Sequence, residues 1–145
     1  MDWKQEATEK LREYEVRRKA LENIPEEIKR LELEYTSIRS SMANSMPRSG
    51  QGSRREDAML SNIVRREELA RQLESARAWV ALADGGLSAL DEDDRLVLDR
   101  FYIHRHKGAC ERLCEELDRE KAQVYRRRDK ALRRFTLALY GGLES

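Results

Sequence analysis

Apolar side chains recur every three or four residues through the first 42 residues of the chain, which is the period of an amphipathic helix. These positions form a seam like that of a coiled coil, made by Trp3, Ala7, Leu11, Tyr14, Leu21, Ile28, Leu31, Tyr35, Ile38 and Met42. Proline has no N–H and interrupts a helix, but it fits the first turn of a new one. Because Pro25 falls inside the seam, the pattern predicts a helix over 3–23 and a second helix to about residue 40. A kink or tight bend at 23–25 is favoured, and a reversal is the alternative.

The following stretch, residues 41–55, is rich in serine, glycine and arginine and has no periodicity, so it predicts a mobile linker. The alternative interpretation is a binding loop that uses Arg48, Arg54 and Arg55. Helical spacing then returns and predicts a third helix over 56–84, whose apolar side is Leu60, Ile63, Val64, Leu69, Leu73, Ala76 and Val80. At 1.5 Å per residue this helix is about 40 Å long, enough to lie back along the second as an antiparallel hairpin. Gly85–Gly86 would end it.

Shorter elements follow the two glycines. Ser88 or Asp91 would cap a helix that Lys107–Gly108 breaks, with Leu90, Leu96, Val97, Phe101 and Tyr102 on its buried side. A short helix over 109–117 would turn Cys110, Leu113, Cys114 and Leu117 inward. A turn at 118–120 leads to a helix over 121–140, whose inward positions are Val124, Ala131, Leu132, Phe135 and Leu139. A short helix, a turn and a longer helix predict a helix-turn-helix.

The predicted fold class is therefore all-α, with two regions. Residues 1–84 would form long coiled-coil-like helices that mediate dimerisation, and residues 88–141 a helix-turn-helix domain. Charged residues make up 39% of the 145-residue chain, well above the roughly 25% of an average globular domain, and this composition favours long helices. No apolar run reaches the roughly 18 residues of a membrane span, and the N-terminus lacks the apolar core of a signal peptide. We expect a cytoplasmic protein with reduced thiols and no membrane partner.

Positive charge is concentrated in one stretch. The whole chain has a formal net charge of +1, yet residues 119–134 contain eight Lys or Arg and two acids. Residues 1–84 contain equal numbers of basic and acidic residues, and residues 88–118 contain nine acidic and five basic residues. A helix with one apolar side and one strongly basic side suits the major groove of DNA. The alternative is a solvated basic helix.

Two clusters of metal-competent side chains occur next to this stretch. His104, His106, Cys110 and Cys114 lie within eleven residues, and four such side chains raise the question of a zinc site. However, the two cysteines occupy core positions of the 109–117 helix, where a buried thiol is ordinary. The acids of 91–94 are better explained by helix capping than by a cation. We predict no metal and no cofactor, and, because no phosphate loop or catalytic triad is present, no enzyme.

The order and spacing of several C-terminal residues resemble a known family. The run LDEDDRLVLDRFYIHRHKGACERLCEELDREKAQVYRRRDKALRRF is similar to region 4 of bacterial sigma-70 factors and to related domains of phage regulators. The elements that carry this likeness are Leu90 with its acidic run, Arg95, Val97–Leu98, Phe101–Tyr102, Leu113, Leu117, Val124–Tyr125 and Lys130–Ala131–Leu132. LENIPEEIKRLE, the linker and FTLALYG resemble small phage proteins of Gram-positive hosts, the ArpU/RinA-type late-gene regulators being nearest.

This resemblance implies a supporting helix over 109–117 and a recognition helix over 121–140. It implies base-reading positions at Lys121, Gln123, Tyr125 and Arg126, and phosphate contacts from Arg127, Lys130, Arg133 and Arg134, with Arg105 and Lys107 as further candidates. The chain departs from the family pattern at two positions. Asp118 replaces the usual glycine of the turn, and Glu120 replaces the usual Ser or Thr cap. Asp tolerates the left-handed conformation better than most residues.

The sequence thus predicts a phage or prophage transcription regulator in the cytoplasm of a bacterial host. It would bind double-stranded promoter DNA, and its N-terminal helices would form a homodimer or contact RNA polymerase. Two alternatives stay open. One is a DNA-packaging protein resembling a terminase small subunit, which would form rings. The other is a protein–protein adaptor whose basic helix binds an acidic partner and no DNA.

Overall fold

The computed structural model describes residues 2–44 and 51–142, and within these ranges the chain is all-α. The helices are α1 (Trp3–Asn44), α2 (Gln51–Ser88), α3 (Glu92–Leu98), α4 (Ala109–Leu117) and α5 (Lys121–Tyr140). A π-helical turn, Asp99–Ile103, follows α3 directly. The predicted fold class is confirmed, and no strand occurs in the described residues. None of their helices is both long and apolar enough to cross a membrane.

Helix α1 continues through Pro25, so the prediction of two helices with an interruption at 23–25 is wrong, and a reversal there is excluded. Inside a helix, proline removes one backbone hydrogen bond and its ring clashes with the carbonyl of the preceding turn, at a cost of about 3 kcal/mol. The seam keeps its period on both sides of the proline, since Leu21 and Ile28 are half-buried and Leu31 is buried. Continuous burial of one side therefore outweighs the local cost of the ring.

Most of the predicted linker is helical. Helix α1 extends to Asn44 and α2 begins at Gln51, so only residues 45–50, which include Arg48, lie outside the described residues. Arg54 is exposed on α2, and Arg55 donates a hydrogen bond to the carbonyl of Ser41 at 3.3 Å. Serine and glycine in this stretch did not prevent the helix from forming.

The packing divides the chain into two compact units. The hairpin unit comprises residues 18–77, and the terminal unit comprises residues 1–17 and 78–145. The start of α1 therefore packs with the C-terminal helices, a contribution that the predicted division at 84–88 does not include.

In the hairpin unit α1 and α2 run antiparallel, as predicted. Leu31 lies opposite Asn62, and Ser41 lies opposite Arg55. Residue numbers therefore rise along α1 where they fall along the facing part of α2. Asn62 is buried, donates from Nδ2 to the carbonyl of Leu31 at 2.8 Å, and accepts from Nε of Arg66 at 2.8 Å. The amide nitrogen of Asn62 therefore has its partner on α1, and the amide oxygen has its partner on α2.

The terminal unit has two hydrophobic clusters. The larger joins α1 to the C-terminal helices through Ala7, Leu11, Leu90, Leu98, Ala131, Leu132 and Phe135. The smaller lies between α3, α4 and α5 and consists of Val97, Cys110, Leu113 and Val124. In addition, the hydroxyl of Tyr14 donates a hydrogen bond to Asp84 between α1 and α2. The two clusters pack α5 against α1, α3 and α4.

Gly86 lies inside α2 rather than at its end, which corrects the predicted stop at 85–86. A Cβ placed on Gly86 would lie 2.8 Å from Cε1 of Phe135 and 2.9 Å from Cδ2 of Leu139. The absence of a side chain at this position thus lets α2 pack closely against α5. Gly85 has no atom within 4 Å of its own Cβ position.

Candidate nucleic-acid interface

Helices α4 and α5 form the predicted helix-turn-helix with the predicted helix bounds. Asp118 ends α4 in the left-handed conformation (φ 51°, ψ 53°) and is the one non-glycine residue with positive φ in the described chain. The expectation that Asp118 could replace the usual glycine is confirmed. Aspartate is among the few residues that adopt this conformation at modest cost. The backbone N–H of Arg119 then bonds the carbonyl of Cys114 at 3.1 Å and closes the turn.

The first turn of α5 is held by Glu120 and Gln123. Glu120 is the N-cap, and its backbone N–H donates to Oε1 of Gln123 at 3.3 Å, one half of a capping box. The acid that replaces the usual Ser or Thr therefore sits at the positive end of the helix dipole, where it is stabilised. Gln123 is exposed, but its side-chain oxygen already has this intramolecular partner.

Three cations form an exposed line along α5. Arg126, Lys130 and Arg133 are spaced by four and three residues, and all three are exposed. This spacing places them on one side of a helix. Within the described part of the chain none of them forms an ion pair. Lys121, at the start of α5, is also exposed. We call Arg126, Lys130 and Arg133 the basic stripe.

Arg127 and Arg134 have partners inside the molecule. Asp94 of α3 is completely buried, and its two carboxylate oxygens accept from Nε of Arg127 at 2.7 Å and from Nη1 of Arg134 at 2.8 Å. Nη2 of Arg127 also donates to both oxygens of Asp91 at 3.1 Å. Two of the four predicted phosphate contacts therefore hold α5 to α3.

The acidic run that precedes these arginines has two roles, of which the sequence indicated one. Asp91 caps α3 as predicted, by accepting from the backbone N–H of Asp94 at 2.8 Å. That hydrogen bond, followed by the charge of Arg127, holds the pKa of Asp91 below its ordinary range. The hydrogen bond to Asp94 raises the pKa of Arg127. The sequence signal for the second role was weak, because the acids and the arginines are separated by more than 30 residues.

Tyr125 packs against neighbouring side chains and is also partly exposed. Its ring lies 6.0 Å from Phe101 and 4.9 Å from the guanidinium of Arg128, and 37% of the residue is exposed. A hydrogen bond with the Cys110 thiol raises the pKa of the phenol. The side chain therefore contributes packing between α5, α4 and the π-helical turn. The further phosphate candidates Arg105 and Lys107 are exposed in the segment before α4.

The side chains considered as zinc ligands have other surroundings. Nδ1 of His104 forms a hydrogen bond with Asp99 at 2.7 Å, and Nε2 lies 3.4 Å from Glu15. Cys110 is buried, and burial raises the pKa of Cys114. Across residues 2–44 and 51–142, no three His, Cys, Asp or Glu side chains are grouped so as to hold a metal ion.

No protein-family model, curated protein or solved structure matches the chain. The chemistry of α5 and its neighbours therefore carries the functional interpretation. It consists of a helix-turn-helix, the exposed basic stripe on its second helix, and two arginines that fix this helix to α3.

Proposed function

We propose that the chain is a sequence-specific DNA-binding transcription regulator, with α5 as its recognition helix. The observation that carries this proposal is the basic stripe, an exposed row of three cations on the helix that follows a helix-turn-helix turn. Cations on such a helix can meet both base edges and phosphates in the major groove. The overall charge of +1 gives little general attraction to DNA, so binding depends on this surface.

Within the proposed interface the residues divide by chemistry. Arg126 lies near the start of α5 and can donate two hydrogen bonds to a guanine edge. Lys121, the amide nitrogen of Gln123 and the exposed part of Tyr125 are the other candidates for base contacts. Lys130 and Arg133 lie further along the same side and suit backbone phosphates. Arg127 and Arg134 hold α5 to α3 through Asp94 and Asp91, which commits part of their donors.

The phage context rests on the resemblance to phage regulators and small phage proteins, and the promoter target rests on the resemblance to sigma-70 region 4. Contact with RNA polymerase and a bacterial cytoplasmic location are further parts of the proposal. The homodimer predicted from the N-terminal seam is not part of it, since a dimer would need another surface. The seam residues Ala7, Leu11, Tyr14 and Leu31 are buried within one chain.

The test is selection of duplexes from a randomised pool by the full chain, followed by binding measurements over a salt series. We expect a preferred sequence, with log affinity falling by about 0.9 per neutralised phosphate for each unit of log salt. Arg126→Ala should weaken binding and relax preference at one position, by roughly 5- to 150-fold for a lost base contact. Lys130→Ala should weaken all duplexes alike and reduce the salt slope by about 0.9.

The matched control is Arg71→Ala, which removes an exposed arginine from α2 in the hairpin unit. It changes the net charge by the same amount and should leave sequence preference and the salt slope unchanged. If the pool yields no preferred duplex and the wild-type chain binds no duplex DNA, the proposal is wrong. The adaptor interpretation then gains support, and the basic stripe would be tested against acidic proteins.

A further inference from the structure

A groove lies beside the N-terminal half of α5 in the terminal unit. It has a volume of about 330 Å³. Its lining comes from α3, from the end of α4, from the turn and from α5, and consists of Asp93, Leu117, Arg119, Gln123, Val124, Arg126, Arg127 and Lys130. Residues separated by more than 30 positions in sequence therefore converge on one small concave surface.

The charges in this groove are unequal. Arg119, Arg126 and Lys130 form no ion pair within the described residues, whereas Arg127 is engaged by Asp94 and Asp91. Asp93 is the one acid of the lining. Unlike Asp91 and Asp94 it has no cationic partner among the described residues, and it is exposed. The groove therefore offers three available cations and one unpaired carboxylate.

Arg119 distinguishes this surface from the basic stripe alone. It belongs to the turn and lies just before the N-terminus of α5, where the helix dipole favours an anion. Arg126 and Lys130 approach from the helix itself, so the cations surround the groove from different elements. Arg119 and Lys130, which line one concave space from the turn and from the helix, match the oxygens of a phosphate better than the flat edge of a base. Arg126 is left for the base edge.

We propose that this groove binds one phosphate of the DNA backbone through Arg119 and Lys130, and that the Asp93 carboxylate weakens that contact. The inference rests on the proposed function and adds to it a phosphate-binding residue in the turn and an acid that limits affinity. Backbone contacts carry no sequence information directly. An acid beside the phosphate therefore lowers affinity for all sequences alike and keeps the chain from occupying nonspecific DNA.

The decisive variant is Asp93→Asn, compared with Glu92→Gln. Both acids are exposed in the first turn of α3, and both substitutions change the net charge by the same amount. They also lose a similar interaction with the helix dipole. Only Asp93 lines the groove. On a random-sequence duplex at low salt, we expect Asp93→Asn to bind about threefold or more tightly than both wild type and Glu92→Gln. Misfolding cannot produce a gain over wild type.

The second arm is Arg119→Ala, compared with Arg71→Ala, in a salt series on the same duplex. Loss of one phosphate contact should reduce the slope of log affinity against log salt by about 0.9, while Arg71→Ala should keep the wild-type slope. Urea unfolding of each variant verifies that the fold is retained.

The outcomes separate the two proposals. If wild type binds duplex DNA, but Asp93→Asn equals Glu92→Gln or Arg119→Ala keeps the full slope, the phosphate site is wrong and the DNA-binding function stands. If wild type binds no duplex, the proposed function fails first and the phosphate site fails with it. Tighter duplex binding by Asp93→Asn, together with a shallower salt slope for Arg119→Ala, supports both the proposed function and the phosphate site.

Discussion

At the scale of single residues, the two adjacent glycines of α2 have opposite environments. Gly86→Ala would bring a methyl group against the buried ring of Phe135, so we expect a loss of about 1–3 kcal/mol in the free energy of unfolding. Gly85→Ala meets no neighbour, and we expect it to stabilise the helix by about 0.5–1 kcal/mol. Urea denaturation of both variants measures the difference. Equal effects would contradict the close packing of α2 on α5.

Asp94 is the buried residue whose charge matters most. Replacing it with Asn keeps the volume but leaves Arg127 and Arg134 without a buried carboxylate, and we expect the unfolding free energy to fall by about 2–4 kcal/mol. Both arginines are partly exposed and can turn to water, which limits the loss. The control is Asp93→Asn, which should change the stability by less than about 1 kcal/mol. Similar values for the two would show that Asp94 does not hold α5.

At the scale of elements, His104 links the π-helical turn to α1. The hydrogen bond with Asp99, and then the charges of Asp99 and Glu15, raise the pKa of His104 above its ordinary 6.5. A raised pKa in the folded state means that protonation favours folding. This contribution is complete below the unfolded pKa near 6.5 and is lost as pH rises through the folded value.

We therefore expect His104→Gln to lower the unfolding free energy at pH 6, by less than about 1 kcal/mol because the pair is half exposed. The difference from wild type should shrink by pH 9. Denaturation curves at both pH values measure it, and His106→Gln, a nearby exposed histidine, is the control. A deficit that is equal at both pH values would show that the His104 charge does not contribute.

The sequence predicted the elements well where burial follows a clear period. The bounds of α4 and α5, the left-handed Asp118 and the buried Leu113, Val124 and Phe135 all follow from local pattern and turn chemistry. Two exceptions have physical causes. Helix α1 continues through Pro25, because packing outweighs the lost hydrogen bond and the clash of the proline ring. In α2 the buried positions continue from Leu69 to Asn62, while Leu60 and Val64 are exposed. Because Asn62 is polar, the pattern of apolar residues did not show that it lies on the buried side of α2.

The candidate site was predicted less completely than the fold. Sequence reasoning identified the basic helix and its exposed Arg126, Lys130 and Arg133. It assigned Arg127 and Arg134 to phosphates and did not connect them to Asp94, because pairs so distant in sequence are set by the tertiary fold. Arg119 was not among the predicted contacts either, since it lies in the turn and only the folded chain brings it beside the groove.

At the scale of the whole molecule, the N-terminal seam is satisfied inside one chain. Ala7 and Leu11 pack with Phe135, and Leu31 is buried in the hairpin unit. We therefore expect light scattering at micromolar concentration to give the mass of one chain, 17.0 kDa. Twice that mass would support the predicted homodimer through another surface, such as exposed Leu33 and Leu60. A much larger ring would favour the packaging alternative.

The division of α1 between two units has a consequence for how the chain acquires its fold. Because residues 1–17 pack with residues 78–145, the hairpin unit is an insertion, in sequence, within the terminal unit. A fragment that begins after the hairpin lacks Ala7 and Leu11 and exposes the surface of Phe135 that they cover. During synthesis the turns of α1 that hold Ala7 and Leu11 emerge before the hairpin unit, and their partners in α5 emerge after it. Helix α5 thus gains its complete support only when the segments on both sides of the hairpin unit meet.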